Sequence, residues 1–124
     1  MRLYTLLLII TSISIPLTGN AANTPEAAMA NMLMQMNHRP SAAETQQLSA
    51  YINDASQPES VRAVAQAISN IDHRASDADK SRLKQVLADD SASDAIKSLA
   101  KTVMSFNHQA SSAERVLLMK FAGN

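Results

Sequence analysis

The residues best able to do chemistry recur at one fixed spacing. The chain has three histidines, His38, His73 and His108, and they follow one another at intervals of 35 residues. Each histidine lies between an Asn or Asp and an Arg or Gln, with a serine three residues further on. Imidazole acts as a general acid or base near neutral pH and binds Zn, Cu, Fe and Ni. One hypothesis is therefore a metal ion shared by the three rings.

Methionines form a second group. Met29, Met32, Met34 and Met36 precede His38 within a few residues. Thioether sulfur suits soft ions, so a Cu(I) or Ag(I) site of Met29, Met32, Met36 and His38 is one hypothesis. A second is an adaptable apolar patch for a partner protein, with Met32 and Met34 on the outer faces of a helix. A third is a terminal unit whose flank is covered by the chain ends.

The histidine motif belongs to a longer internal repeat. Apolar residues on both sides of it recur at the same spacing of 35 residues without a gap. The coinciding triplets are Met29/Val64/Leu99, Leu33/Ile68/Val103, Met36/Ile71/Phe106, Leu48/Leu83/Leu118 and Tyr51/Val86/Phe121. Chance similarity would not hold an apolar register through three copies. We predict one domain over 22–124, built of three units at about 24–55, 56–90 and 91–124.

Each unit is predicted to form two helices. Apolar residues three and four apart, such as Val61, Val64 and Ile68, are typical of one helix face and not of a strand. The first helix of each unit, the A helix, is expected at about 25–37, 59–71 and 93–106, and the second, the B helix, at 42–53, 77–88 and 112–122. The predicted fold class is all-α, with six helices in three tandem hairpins.

Serines and acids mark the predicted helix starts. In a capping box, a serine oxygen accepts from the backbone N–H three residues on, and the acid there accepts from the serine N–H. The B helices are expected to begin with the pairs Ser41/Glu44, Ser76/Asp79 and Ser111/Glu114, the shorter Asp79 giving the weakest box. For the A helices we expect Thr24-Pro25, Ser56/Glu59 and Ser91/Asp94. At the ends of the A helices, Asn37, Asp72 and Asn107 are expected to adopt the left-handed backbone of a tight stop.

The expected arrangement is a row of hairpins, a short right-handed solenoid or helical-repeat bundle. The period is similar to that of tetratricopeptide-type repeats, but the Trp, Gly and Tyr positions of that family are missing, so the resemblance implies a similar architecture and no membership. Packed helices lie about 8–10 Å apart, whereas zinc holds nitrogen ligands at about 2 Å. A row would keep the histidines apart, so we expect each to meet the last carbonyl groups of its own helix.

Charged residues on the A helices suggest a binding face. Arg62 and Gln66 of the second unit correspond to Lys97 and Lys101 of the third. One helix from each unit commonly lines the binding surface of a solenoid. These four residues therefore predict a surface for an acidic partner, the alternative being an ordinary solvated face.

The N-terminus has the pattern of a signal peptide. Arg2 precedes an apolar stretch over 3–16, which is followed by small and polar residues. We predict cleavage after Ala21, with Ala22 as the alternative, and hence a periplasmic or secreted protein. The apolar stretch is too short to span a bilayer comfortably, so no stable membrane insertion is expected after cleavage.

Composition excludes several classes of function. Without Arg2 the chain has ten Lys and Arg against eleven Asp and Glu, which gives no electrostatic footprint for nucleic acid. There is no cysteine, so thiolate metal sites and covalent haem are excluded, and no resident cofactor is predicted. Residues repeated three times are better explained by a scaffold than by a single active site, so no catalytic residue is predicted. We expect a protein that binds another protein, such as a chaperone, adaptor or immunity protein. A soft-metal protein is the first alternative and an enzyme the second.

Overall fold

A computed structural model of the chain describes residues 24–122. Within this range the helices are α1 Pro25–Gln35, α2 Ala42–Asn53, α3 Glu59–Ser69, α4 Asp77–Ala88, α5 Asp94–Ser105 and α6 Ser112–Met119. The A helices are α1, α3 and α5, and the B helices are α2, α4 and α6, so the all-α prediction is confirmed. No helix in this range has the length and hydropathy that a membrane span requires. The predicted signal peptide, 1–21, lies outside the described residues.

The three units close into a ring. The A helices α1, α3 and α5 contact one another, while α2 packs on α3, α4 on α5, and α6 on α1. Each B helix thus covers the A helix of the next unit, and the contact of α6 with α1 joins the third unit back to the first. The units are therefore arranged in a ring and not in the expected open row. Closure covers the apolar faces that an open row would leave exposed at its two ends.

The core contains the residues that the repeat predicted. The triplets Met29/Val64/Leu99, Leu33/Ile68/Val103 and Leu48/Leu83/Leu118 are fully buried. A second face of the A helices is buried too, since Met32, Ala67 and Thr102 are 5%, 0% and 1% exposed. The expectation that Met32 lies on an outer face is therefore wrong. In a closed ring each A helix is covered by the other two A helices as well as by B helices.

The starts of the B helices have the predicted serine caps. Ser41 and Ser111 accept from the backbone N–H of Glu44 and Glu114, whose carboxylates accept from the serine N–H groups. The serine oxygen of Ser76 likewise accepts from the Asp79 N–H, at 3.1 Å. The Asp79 carboxylate is buried and accepts instead from the Ser76 hydroxyl and the Asn70 amide. The shorter acid therefore ties this cap to the end of the preceding A helix.

Two of the predicted caps of the A helices are wrong. The cap of α5 is Ser93, whose oxygen accepts from the Ile96 N–H, and α3 follows Pro58 without a side-chain cap. The serines of the predicted boxes instead donate to an aspartate two residues earlier, Ser56 to Asp54 and Ser91 to Asp89. These hydrogen bonds hold the pKa of both aspartates below the ordinary value. Each serine therefore belongs to an Asp-x-Ser turn after the B helix and does not cap the A helix. Short polar side chains commonly form such hydrogen bonds in turns.

Ring closure predicts coupling between the first and last helices. Leu118→Ala in α6 should lower the free energy of unfolding by roughly 2–5 kcal/mol, because it removes a fully buried side chain. Amide protons of α1 should lose protection together with those of α6, since the two helices pack on each other. Hydrogen exchange followed by mass spectrometry measures this. Leu83→Ala, the equivalent change in α4, is the control and should deprotect α5, on which α4 packs, more than α1. Protection of α1 that is unchanged in Leu118→Ala would contradict the ring.

Candidate metal centre

Each A helix is followed by a three-residue turn centred on a histidine. His38, His73 and His108 have φ angles of 70°, 65° and 66°, in the left-handed region. In each turn the backbone of the residue before the histidine is paired with that of the residue after it. The pairs are Asn37 with Arg39, Asp72 with Arg74, and Asn107 with Gln109. We expected Asn37, Asp72 and Asn107 to adopt the left-handed conformation, and this is wrong. The histidine that follows each of them adopts it instead. This conformation costs an L-residue other than glycine about 1–2 kcal/mol.

The three turns are linked by a cycle of backbone hydrogen bonds. The His38 N–H donates to the His108 carbonyl, the His73 N–H to the His38 carbonyl, and the His108 N–H to the His73 carbonyl, each at 2.7 Å. Every histidine is thus both donor and acceptor. The prediction that the histidines stay apart, each on its own helix end, is wrong. It assumed a row, in which equivalent residues are a helix diameter apart, whereas in a ring they meet.

The imidazoles gather at the surface. Their ring centroids are 5.0, 5.0 and 5.2 Å apart, and the ring planes are inclined to one another by 53–84°. One nitrogen from each ring lies within 4.8 Å of the others. His38 and His108 are exposed, and the His73 side chain keeps 46% of its accessible surface. The cluster is therefore open to ions in solution.

Hydrogen bonds orient two of the three rings, those of His73 and His108. The Nδ1 atom of His73 lies 2.9 Å from Asp72 Oδ1, and Nδ1 of His108 lies 2.6 Å from Asn107 Oδ1. A carboxylate only accepts, so His73 Nδ1 carries the hydrogen, and in the neutral ring Nε2 then has the lone pair. The amide oxygen of Asn107 has the same effect on His108. A ring nitrogen held by a carboxylate or amide oxygen while the other stays free is the usual state of a metal-binding histidine.

The geometry fits one tetrahedral ion. Ligands at about 2.0–2.1 Å from zinc in tetrahedral directions lie about 3.4 Å from one another. The present separations exceed this by at most about 1.5 Å, and the second side-chain torsion of histidine is broad, so small ring rotations suffice. Three protein ligands leave a fourth position, which here faces solvent. Catalytic and ligand-exchanging zinc sites have this composition, whereas structural zinc sites have four protein ligands.

The methionines of the soft-metal hypothesis lie in the core. Met29, Met32 and Met36 are 0%, 5% and 3% exposed, whereas His38 is exposed and contacts the other imidazoles. Met34 is partly buried and packs against the core. These sulfur atoms contribute to packing between helices, and the imidazoles provide the accessible ligand set.

The residues predicted for an acidic partner fall on two units of the ring. Arg62 and Gln66 line a surface groove of about 540 Å³ together with Arg82 of α4. Lys97 and Lys101 occupy the equivalent positions on α5, outside the lining of that groove. The groove therefore brings together two of the four residues, Arg62 and Gln66.

Comparison with known proteins adds no assignment. No family model matches the chain, and no curated protein or solved structure is significantly similar to it. The sequence did contain a signal for the cluster, since all its histidines occupy one repeat position. What the sequence lacked was the closure of the ring.

The left-handed turns predict that the histidines are replaceable by glycine without loss of the fold. His73→Gly should leave the free energy of unfolding within about 1 kcal/mol of the parent or raise it, because relief of the left-handed conformation offsets the greater chain entropy of glycine. His73→Val should be destabilising by more, since β-branched residues tolerate this region poorly. Urea unfolding of both variants without added metal checks this. A loss above about 2 kcal/mol in His73→Gly would show that the imidazole is needed for packing.

Proposed function

We propose that this chain is an exported metal-binding protein that holds one divalent ion between His38, His73 and His108. The observation that carries the proposal is the convergence of three imidazole nitrogens within 4.8 Å at the surface. Export rests on the N-terminal sequence pattern, a charged start, an apolar stretch and small residues before Ala22.

The ligand set favours a borderline ion. Three imidazoles without thiolate or thioether suit Zn(II), Ni(II) and Cu(II) better than Cu(I) or Ca(II). The near-threefold arrangement of the rings suits the tetrahedral preference of Zn(II) more than the tetragonal preference of Cu(II). Zn(II) is therefore the proposed ion, with Co(II) as its spectroscopic substitute.

A bound ion would also join the three units. Each ligand comes from a different unit, and the first and third units are joined by helix packing and hydrogen bonds but not by a direct connection in the chain. Binding to the folded ring, but not to the unfolded chain, would stabilise the fold by mass action. Metal capture and ring closure would therefore support each other.

A second candidate is the binding of a partner protein at the groove beside Arg62. The groove is lined by the cations Arg62 and Arg82 and also by the acids Glu59 and Asp89. Arg62 donates from Nε to the Ile52 carbonyl at 3.1 Å, which holds the side chain across the groove. A mixed-charge groove with an ordered arginine is a reasonable contact for a polar peptide segment.

The metal proposal predicts one Zn(II) per chain. Titration by isothermal calorimetry should give a single site in the parent, and His38→Gly, His73→Gly and His108→Gly should each lower the affinity by more than about 100-fold. Loss of a ligand should exceed the 10- to 100-fold effect of losing a group that orients one. At zinc concentrations about 100 times the dissociation constant, the free energy of unfolding of the parent should be about 2.7 kcal/mol higher than without zinc.

Two matched variants test the site more finely. Asp72→Asn replaces the carboxylate beside His73 by the amide that Asn107 already provides beside His108, and it should weaken zinc binding about 10-fold or more. Asn107→Asp makes the reverse change and should strengthen binding. Met34→Leu leaves every imidazole in place and should have no effect. Equal affinity in the parent and all three histidine variants would overturn the proposal.

The partner candidate predicts a crosslinked complex that depends on the groove. With the chain expressed as periplasmic bait, Arg62→Glu should abolish capture of one stoichiometric protein, because it reverses the charge at the groove wall. Lys97→Glu makes the same kind of change at the equivalent position of the next unit and is the control, which should retain capture. Capture that is unchanged by Arg62→Glu would place the contact elsewhere.

A further inference from the structure

The surroundings of the histidine cluster carry charge that metal binding does not use. Arg39 and Arg74 directly follow His38 and His73 in their turns, and Gln109 occupies the same position after His108. The acid of the three turns is Asp72. Imidazoles bind a divalent ion without neutralising it, so the ion, the guanidinium groups and the carboxylate leave a net charge of about three positive.

Both guanidinium groups are available to a ligand. Arg39 Nη2 lies 3.4 Å from Asp72 Oδ1, and the two side chains are 68% and 71% exposed. An exposed ion pair of this kind has little stability and exchanges partners readily. The structure shows no ion pair to Arg74, which is exposed, within residues 24–122. Neither arginine is committed to holding the fold.

We propose that the loaded site is a receptor for a small carboxylate-type anion, which coordinates the ion at its open position and is held by Arg39 and Arg74. This inference rests on the proposed metal function. The fourth position of the ion faces solvent because the imidazoles are at the surface. A guanidinium group presents paired N–H donors that match the two oxygens of a carboxylate. Ion and arginines therefore select for a negatively charged, oxygen-donating ligand over a neutral one.

The repeat makes this arrangement testable by its own asymmetry. The first two turns have an arginine after the histidine, whereas the third has Gln109, whose Oε1 accepts from Arg115 Nη2 at 2.8 Å. The backbone frames of the three turns are alike, with φ angles between 65° and 70° at the histidines. A third arginine at position 109 would therefore stand in the same relation to the ion as the other two.

The test uses the full-length mature chain loaded with Co(II), whose visible spectrum reports a change of ligand. Acetate is the probe, and chloride at equal ionic strength is the control for screening. Addition of acetate should shift the visible bands with a saturable dependence on concentration. The double variant Arg39→Gln/Arg74→Gln should bind acetate roughly 10-fold more weakly or worse, because charge-assisted hydrogen bonds are lost. Its Co(II) affinity should stay at or above that of the parent, since two positive charges near the ion are removed.

Two further variants complete the design. Gln109→Arg should bind acetate more tightly than the parent, while Lys84→Gln, a change on the exposed side of α4 away from the turns, should bind it equally. Failure to take up Co(II) would overturn the proposed function and this inference together. Uptake of Co(II) with a spectrum that acetate does not change, or changes equally in the double variant, would overturn the anion site and leave the metal site standing.

Discussion

The cycle of three backbone hydrogen bonds between His38, His73 and His108 is the constraint on which the rest of the structure depends. Each bond joins one unit to the next, so the cycle fixes the angle between units as well as their distance. The cycle requires the N–H and carbonyl groups of each histidine to point towards the histidines of the other two units. The left-handed backbone conformation allows this. The imidazoles meet because their own backbone groups are paired. A buried or crowded backbone group without such a partner would be costly.

Ring closure also explains how a small chain without cysteine is held together. A domain of this size buries a modest share of its surface, so its stability depends on how completely its apolar faces are covered. Here the contact of α6 with α1 converts two exposed ends into core, and the A helices are buried on two faces instead of one. Small residues permit this close approach, since Ala30, Ala65 and Ala100 occupy one repeat position and are fully buried. The alanine-rich composition is thus a requirement of the central helix packing.

Local features were predictable from the sequence and the relation between units was not. The bounds of α2 and α4 match the prediction at both ends, because Ser41 and Ser76 are strong local start signals. The start of α3 at residue 59 was predicted, but Ser56 was wrongly expected to cap it, because Asp54 competes for the same hydroxyl and a spacing rule does not weigh that competition. Closure was missed for a different reason. A repeat of 35 residues defines one unit and its neighbours but contains no direct record of the angle between them, and that angle separates a row from a ring.

The angle between units also determines whether the three histidines meet. In a row, a residue that occurs three times is architectural, and only departures from the repeat, such as Met32 and Met34, are informative. In a ring, repetition creates a site, because equivalent residues near the centre meet each other. The backbone at the three histidines supports the same conclusion. Glycine would satisfy the left-handed turn at positions 38, 73 and 108 with less strain, and asparagine is also well tolerated there. The same left-handed position is filled three times by histidine, and Asp72 and Asn107 hydrogen-bond to two of the rings, which supports the proposal that the imidazoles bind an ion.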